Sequence, residues 1–319
     1  DARGERGVFR LEADEGELFG SPAVVESERG TMEAPSVLYT RGDGLVQGRG
    51  GVRARLDPEE GEAGASVLEG SPLGGGEGGE GALWVEAERG FFRDEPRAFL
   101  FAGSVRAWRG DDLLVANRLL GEETEGRLVA SGDVRTVWRP EEESPGEDGG
   151  EARAAGGEGG PEAEGPLEAT ADELVYEREE RLLIYTGDVV AEQAERVLSC
   201  REMEVHLNRE GATGGSVGEL VCTGDARLED PANGRTLEGH RLVYDPEARL
   251  FEAVGADGGA VTLEDATGNV IEGPRMIYDI DADEVRVLGR QGPEPAPGPA
   301  PASEDAPEDP GETGGSGAP

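Results

Sequence analysis

The 319-residue chain has few of the residues that build reactive or metal-binding sites. It contains two cysteines, two histidines and three tryptophans, and aromatic residues make up only 5% of it. The histidines, His206 and His240, lie far apart, and neither stands in a His-x-x-x-His or Cys-x-x-Cys spacing. We therefore predict no metal site and no cofactor.

Motifs for catalysis and for nucleic-acid binding are missing as well. There is no Gly-x-Ser-x-Gly, no phosphate-binding loop and no dinucleotide fingerprint after a strand, so we predict that the protein is not an enzyme. The net charge is −40 and all 30 basic residues are arginines. Without a basic stripe to displace counterions, nucleic-acid binding is not expected.

Long apolar runs are also missing. No run reaches the eighteen residues that a membrane-spanning helix needs. The sequence starts at Asp1 without a methionine or a recognisable secretion signal. We expect that an upstream segment, either a signal or an anchoring helix, has been removed or left out.

Three stretches contain almost no bulky apolar residues: about 57–81, 139–166 and 291–319. They are rich in Gly, Glu, Pro, Ala and Ser, and we predict that they are disordered. The folded parts are then 8–138, which contains the first stretch, and 167–290. The stretch between them is either a loop within one continuous sheet, which we slightly favour, or a tether between two modules.

What the chain does have is a sixteen-residue register. A small residue is followed sixteen positions later by glycine in six copies, and a seventh copy carries an eight-residue insertion. The pairs are Ala34/Gly50, Ala87/Gly103, Ala116/Gly132, Ala171/Gly187, Cys200/Gly224, Gly239/Gly255 and Gly273/Gly289. A unit this short must stack on its neighbours to bury a core.

Each copy indicates two strands joined by a polar turn. In the fourth copy, Leu174 to Tyr176 and Leu182 to Tyr185 flank a charged turn, and a further strand begins at Val189. Gly187 stands where one strand passes to the next, and a glycine there indicates a bulge or sharp bend. The sequence therefore predicts an all-β, elongated β-jelly roll of stacked antiparallel hairpin repeats, growing by one rung per repeat.

Two stretches, 169–207 and 83–120, carry a family resemblance. Within the first, the residues that match are Ala171, Asp172, Leu174, Tyr176, Tyr185, Gly187, Val189, Leu198, Cys200 and Met203. This pattern resembles the LptA/LptC/OstA (OstA-like) family of lipopolysaccharide-transport proteins.

The resemblance implies a periplasmic jelly roll whose interior groove shields the acyl chains of lipid A. Rolls of this family join end to end into a bridge from the inner to the outer membrane, as part of outer-membrane biogenesis. We thus expect lipopolysaccharide and other bridge components as partners. Strand addition would use the terminal strands, Val8 to Leu11 and Glu284 to Leu288. In such a protein, a segment upstream of residue 1 could anchor the roll to the inner membrane.

Nine residues are expected to point inward, where they either line a lipid groove or fill a closed core. They are Val37, Tyr39, Phe92, Leu174, Tyr176, Leu242, Tyr244, Met276 and Tyr278. With seven or eight rungs per face, the groove would be about 35–40 Å long.

The two cysteines, Cys200 and Cys222, belong to the same copy, which a hairpin would bring across from each other. A periplasmic compartment permits a disulfide between them. The alternative is two small buried thiols at positions that are alanine in other copies.

Two other functions are compatible with these patterns. One is an elongated β-repeat structural protein or adhesin, with or without stabilisation by calcium. The acidic turn at Asp279, Asp281 and Asp283 lacks the glycine and closing glutamate of an EF-hand. The other is a lipid- or glycan-binding jelly roll outside lipopolysaccharide transport.

We expect the three tryptophans to be core or rim anchors.

Overall fold

The computed structural model describes residues 1–289 apart from 13, 28–29, 43, 58–81, 139–164, 209–216 and 258. The described residues form nineteen antiparallel strands and no helix, which confirms the all-β prediction. The strands are β1 (Ala2–Arg3), β2 (Arg6–Arg10), β3 (Glu15–Ser27), β4 (Gly30–Thr40), β5 (Leu45–Leu56), β6 (Leu83–Arg93), β7 (Ala98–Arg109), β8 (Asp112–Glu122), β9 (Arg127–Trp138), β10 (Leu167–Glu177), β11 (Leu182–Gln193), β12 (Arg196–Leu207), β13 (Val217–Asp230), β14 (Arg235–Asp245), β15 (Leu250–Val254), β16 (Val261–Glu264), β17 (Val270–Gly273), β18 (Arg275–Asp279) and β19 (Glu284–Leu288).

The central strands follow one another in the sheet as they do in the chain. From β3 to β14, each strand pairs with the next, and this includes β9 and β10 on the two sides of the acidic stretch. Pairing at that junction extends from Leu167 opposite Trp138 to Glu177 opposite Arg127. The sheet is therefore continuous there. The three low-complexity stretches lie almost entirely outside the described residues.

Each long strand bends in the middle and contributes to two facing layers. In β11, Leu182 to Thr186 pairs in the first layer and Val189 to Gln193 in the second, with a register shift between them. We call these layer A and layer B. Layer A also contains β2, β15, β18 and β19, and layer B also contains β1, β16 and β17.

The bend depends on glycine. Gly187 and Asp188 both have positive φ, 82° and 42°, so two consecutive residues adopt the left-handed region. A Cβ added to Gly187 would lie 2.2 Å from a carboxylate oxygen of Asp172 on β10. The same two-residue bend recurs at Gly50-Gly51, Gly103-Ser104, Gly132-Asp133 and Gly224-Asp225.

This geometry changes the expected length of the roll. Val189 continues β11 and does not begin a new strand, so each long strand adds a rung to both layers. Layer A thus has about fifteen inter-strand spacings of about 4.8 Å, or roughly 70 Å in all. The sequence-based length of about 35–40 Å was too short by about half, because it assigned each strand to one face only.

The small residues of the register line the inside of the bend. Ala34, Ala87, Ala116, Ala171 and Cys200 each expose 8% of their surface or less. They stand immediately before the bend on the strands that run from layer B to layer A. The two layers converge there, which leaves space only for short side chains.

The last two copies of the register form a different structure. Neither Gly255 nor Gly289 has a positive φ. The bent strands give way to short straight ones, and the chain alternates between the layers through the connections before β16 and β18. The layers are therefore separate at this end of the roll.

Candidate functional site

The interior of the roll is lined on the layer A side by an unbroken apolar row. The edge of the roll opposite the bends, where the hairpin turns of the two layers face each other, we call the seam. The apolar row lies along this edge, and we call it the seam row. Following the strand pairs, it consists of Phe9, Gly16, Tyr39, Val46, Phe92, Phe99, Gly121, Leu128, Tyr176, Leu183, Val205, Leu220, Tyr244, Phe251, Tyr278 and Val285.

A second inner row runs beside the first, two residues closer to the bends, and it is equally apolar. Its members are Leu18, Val37, Gly48, Gly90, Phe101, Leu119, Ala130, Leu174, Tyr185, Met203, Cys222, Leu242, Ala253, Met276 and Val287. Neither row contains a charged residue. The inner face of layer A is therefore an apolar track from β2 to β19.

Layer B has a partly polar margin at the seam. Six strand ends on this side carry charged or amide side chains, which we call the polar lip: Arg109, Asp112, Gln193, Arg196, Asp230 and Arg235. The ends of β5, β6, β9 and β10 on the same side are apolar instead: Leu56, Leu83, Trp138 and Leu167. Arg109 and Asp230 are buried, with 9% and 1% of their surfaces exposed. Burial lowers the pKa of Arg109. The seam thus has a continuous apolar row on the layer A side and a partly polar margin on the layer B side.

The nine predicted inward residues all lie in the two inner rows of layer A, but they differ in exposure. Six expose 1% of their surface or less: Val37, Leu174, Tyr176, Leu242, Met276 and Tyr278. Phe92 and Tyr244 are half-buried, and Tyr39 is 41% exposed. In this structure most of them pack against other side chains.

One pocket opens at the seam in the second half of the roll. Its volume is about 50 Å³, and Leu167, Leu198, Leu220, Tyr244 and Phe251 are among the residues that line it. Pockets that hold small molecules usually measure about 300–1,000 Å³. An acyl chain would therefore have to separate the layers at this point.

Hydrogen bonds link the two layers across the interior. The hydroxyls of Thr136 on β9 and Tyr185 on β11 lie 3.0 Å apart, and both residues are buried. Burial raises the pKa of Tyr185 above its ordinary range, and the hydrogen bond with Thr136 opposes this in part. The pair satisfies two polar groups in an otherwise apolar core.

A second polar link closes the seam near the C-terminal end. Tyr278 in layer A donates its hydroxyl to the Asp230 carboxylate in layer B at 3.0 Å, and Asn233 donates to both side chains. Burial, followed by the charge of Asp230, raises the pKa of Tyr278. Arg235 pairs with Asp283 at 2.6 Å beside the Tyr278 ring. We call this group of residues the C-terminal clamp.

The two cysteines lie on opposite sides of a bend. The Sγ atoms of Cys200 on β12 and Cys222 on β13 are joined at 2.05 Å, with their Cα atoms 5.8 Å apart. The disulfide connects the layer B part of one strand to the layer A part of the next. Ala116 and Ala130 hold the corresponding positions in the first half.

The histidines and the acidic turn give no sign of a metal centre. Within the described ranges, no group of three or more His, Cys, Asp or Glu side chains could hold a metal ion. In the turn, Asp281 pairs with Arg249 and Asp283 with Arg235, each at 2.6 Å. His206 has Glu204 at 3.7 Å as its neighbour.

Sequence reasoning missed both the polar lip and the orientation of two tryptophans. Trp84 and Trp108 point outward from layer B, because Leu83, Val85 and Ala107 occupy the inward positions beside them. The sequence did contain a signal for this orientation. Residues two apart in a strand share a face, so Trp84 should point to the same outer face as the charged Glu86.

The family comparison identifies this architecture. The sequence profile described as "LptA/(LptD N-terminal domain) LPS transport protein" matches residues 84–210 and 168–284. Together these matches cover more than half of the chain. The chain belongs to this family. It is therefore a lipopolysaccharide-transport component of the Lpt type, with the OstA-like fold that its sequence predicted.

Other comparisons are weaker. One similar solved structure is LptH from Pseudomonas aeruginosa, described as the LptA-homologous periplasmic component of the lipopolysaccharide transport device. The identity is 14% over 60% of this chain and 92% of that chain, with a TM-score of 0.25. The family assignment rests on the sequence match. No curated protein sequence matches the chain.

The residues that the structure describes form no helix that is long and apolar enough to cross a bilayer.

Proposed function

We propose that this protein carries lipopolysaccharide through the periplasm by enclosing the acyl chains of lipid A between its two layers. The observation that carries the proposal is the seam row, which is apolar or glycine at every position from Phe9 to Val285. A track of this kind replaces water around acyl chains at every step along the roll, so that a lipid can move without exposing them.

The polar lip supports an orientation for the lipid. Acyl chains would enter beside the seam row, while the charged headgroup would stay at the margin that carries Arg109, Arg196 and Arg235. A buried charge without polar partners is costly, which disfavours the reverse orientation. The work is binding and release, with no chemical step, and we propose that the protein is not an enzyme.

Entry of the lipid requires the layers to part. The inner side chains are packed in this structure, and the layers are joined by the Thr136–Tyr185 hydrogen bond and by the C-terminal clamp. The first half has fewer obstacles, because Tyr39 is 41% exposed and Phe92 is half-buried at the seam. We propose that lipid enters there.

Photo-crosslinking in cells tests this function. A crosslinking amino acid at Phe92, Tyr176 or Leu242 should capture lipopolysaccharide. The matched control is Glu173, which lies beside Leu174 on the exposed outer face of β10. Capture at Glu173 and at the turn residue Glu179, with none at the three inner positions, would contradict the proposal.

We also propose that the rolls form part of an inner-to-outer membrane bridge through strand addition at their ends. Both ends carry exposed apolar side chains on edge strands: Phe9 is 70% exposed on β2, and Val287 is 45% exposed on β19. Such an edge is a template for another strand.

Charged substitutions test the bridge separately from lipid capture. Phe9→Glu and Val287→Glu should each weaken association with a neighbouring component, as measured by sedimentation of the reconstituted complex. Glu173→Ala, away from both edges, is the control. Undiminished association in both edge variants would exclude these strands as the joints.

A further inference from the structure

The outer face of layer B carries an apolar patch whose role the interior does not explain. One residue along each strand from the seam, a row of side chains points to the outer face of layer B. We call it the outer row. In strand order it contains Glu26, Thr31, Arg55, Trp84, Trp108, Leu113, Val137, Glu168, Glu192, Val197, Glu229, Thr236 and Glu264. Four consecutive members, from Trp84 to Val137, are apolar.

Two of these four residues form a stacked aromatic pair on the outer surface. The rings of Trp84 and Trp108 are nearly parallel, with an angle of 15° and centroids 6.5 Å apart. Trp84 is 37% exposed, although it lies in the middle of a sheet between paired neighbours. Val137, at the far end of the patch, is only 9% exposed. Trp108 and Leu113 are half-buried. The most accessible member of the patch is therefore Trp84, with the Trp108 ring stacked beside it.

Arginines surround the indole pair. The guanidinium carbon of Arg106 lies 5.7 Å from the Trp108 ring centroid. Beside it, Arg53 pairs with Glu86 at 2.6 Å, and Arg135 pairs with Glu168 at 2.7 Å. Arg55 precedes Trp84 in the outer row. Arg55 in turn pairs with Asp57 at 2.7 Å. In a chain with a net charge of −40, the surface beside the indoles thus carries guanidinium groups in close pairs with carboxylates.

The second half of the same row differs. Where the first half has Trp84, Trp108, Leu113 and Val137, the continuation has Glu168, Glu192, Val197 and Glu229. Because strand geometry is the same in both halves, the sheet itself does not require the aromatic pair. The difference indicates a ligand or partner specific to the first half.

The position of the pair suggests which ligand it is. Arg109, the chain neighbour of Trp108, belongs to the polar lip, and the apolar Leu83, the neighbour of Trp84, lies on the inner side of the same margin. A lipid held with its acyl chains inside and its headgroup at the polar lip would bring its sugars out beside this outer surface. The inference therefore rests on the proposed function.

We propose that Trp84 and Trp108 form a binding platform for the saccharide part of lipopolysaccharide. Indole faces pack against the C–H faces of sugar rings, as large apolar surfaces with little conformational freedom. The Arg106 guanidinium over the Trp108 ring is suited to a phosphate or carboxylate group on such a sugar, through charge-assisted hydrogen bonds. The platform would guide the sugar chain while the acyl chains occupy the interior.

The test uses the full chain and a probe without acyl chains, the anionic oligosaccharide released from lipopolysaccharide by mild acid. A Trp138→Phe background leaves only the platform tryptophans to fluoresce, since the chain has three. Titration of the oligosaccharide should change this fluorescence and give a Kd.

In that background, Trp84→Ala and Arg106→Gln should each raise the Kd at least about tenfold, equivalent to about 1.4 kcal/mol. Trp84→Phe, which keeps an aromatic face, should restore part of the affinity. Val197→Ala, in the same row of the second half, is the matched control and should leave the Kd unchanged. Thermal unfolding of each variant checks that the fold is kept.

Three results would overturn the platform. They are no oligosaccharide binding by the native chain, an unchanged Kd in Trp84→Ala, or a native dimer in sedimentation that Trp84→Ala dissociates, which would make the patch a self-association surface. If inner positions still crosslink lipopolysaccharide in cells, only the platform fails. If they do not, the proposed function fails as well.

Discussion

The first half of the roll, β3 to β9, differs from the second half, β10 to β18, in how its interior is filled. The two inner rows of layer A contain four glycines, Gly16, Gly48, Gly90 and Gly121, and all of them lie in the first half. Neighbouring side chains cover them. A Cβ on Gly121 would lie 2.2 Å from the Phe99 ring, for example.

The second half is filled by bulkier residues and held by more links. Tyr176, Leu183 and Tyr278 occupy its seam row with almost no exposure. The disulfide and the C-terminal clamp lie in this half, and Tyr185 on β11 makes the hydrogen bond to Thr136. A side chain that covers a glycine has no opposing side chain to interdigitate with, so it can change its rotamer more easily than side chains that interdigitate. The first half should therefore open first.

Removing the disulfide should have the largest effect on this difference. Cys200 and Cys222 are 22 residues apart, so the bond restrains a sizeable loop in the unfolded chain. The Cys200→Ala/Cys222→Ala variant should lose about 3 kcal/mol of unfolding free energy. Denaturant titration measures this. Reductant should destabilise the native chain but not the double variant; native stability that is indifferent to reductant would contradict the prediction.

Blocking a bend should cost somewhat less. Gly187→Ala places a Cβ against Asp172 and requires a positive φ from alanine, so we expect a loss of about 2 kcal/mol. Gly42→Ala, in a turn with nothing within 4 Å of the new Cβ, is the control. Equal melting temperatures for the two variants would show that the bend tolerates a side chain.

Opening the clamp should weaken the second half by a smaller amount. Tyr278→Phe removes the hydroxyl that donates to the buried Asp230 carboxylate, which should cost about 1–2 kcal/mol. It should also increase lipopolysaccharide crosslinking at Leu242, because the seam opens more readily. Tyr39→Phe, at a seam-row position that is 41% exposed, is the control. Unchanged crosslinking at Leu242 would show that the clamp does not control lipid entry.

The smallest effect concerns alkaline pH. The pKa of Tyr185 is raised in the folded state, so the folded chain keeps a proton that the unfolded chain loses above about pH 10. Stability from this group is complete below pH 10 and decreases as the pH rises towards the folded pKa, by about 0.8 kcal/mol at pH 10.5. Tyr185→Phe should show a shallower decrease between pH 9 and 10.5. A steeper decrease in Tyr185→Phe than in the native chain would mean that folding lowers the pKa of Tyr185, contrary to this prediction.

Much of the fold and part of the site followed from local pattern. The alternation around Leu174 and Tyr176 placed them on an inner face, and the positions of Gly103, Gly132 and Gly187 marked the bends. Both signals act within a few residues, because side-chain direction alternates along a strand and a left-handed φ selects glycine.

The sequence by itself thus determined an all-β repeat with an apolar inner face, and tertiary structure decided how that face is used. Pairing between strands determined that each strand serves both layers, that Arg109 and Asp230 form a polar margin, and that Trp84 meets Trp108 on the outside. Packing between the layers determined that Tyr176 is buried while Tyr39 is exposed. These properties depend on which distant residues meet, and the sixteen-residue register does not encode that.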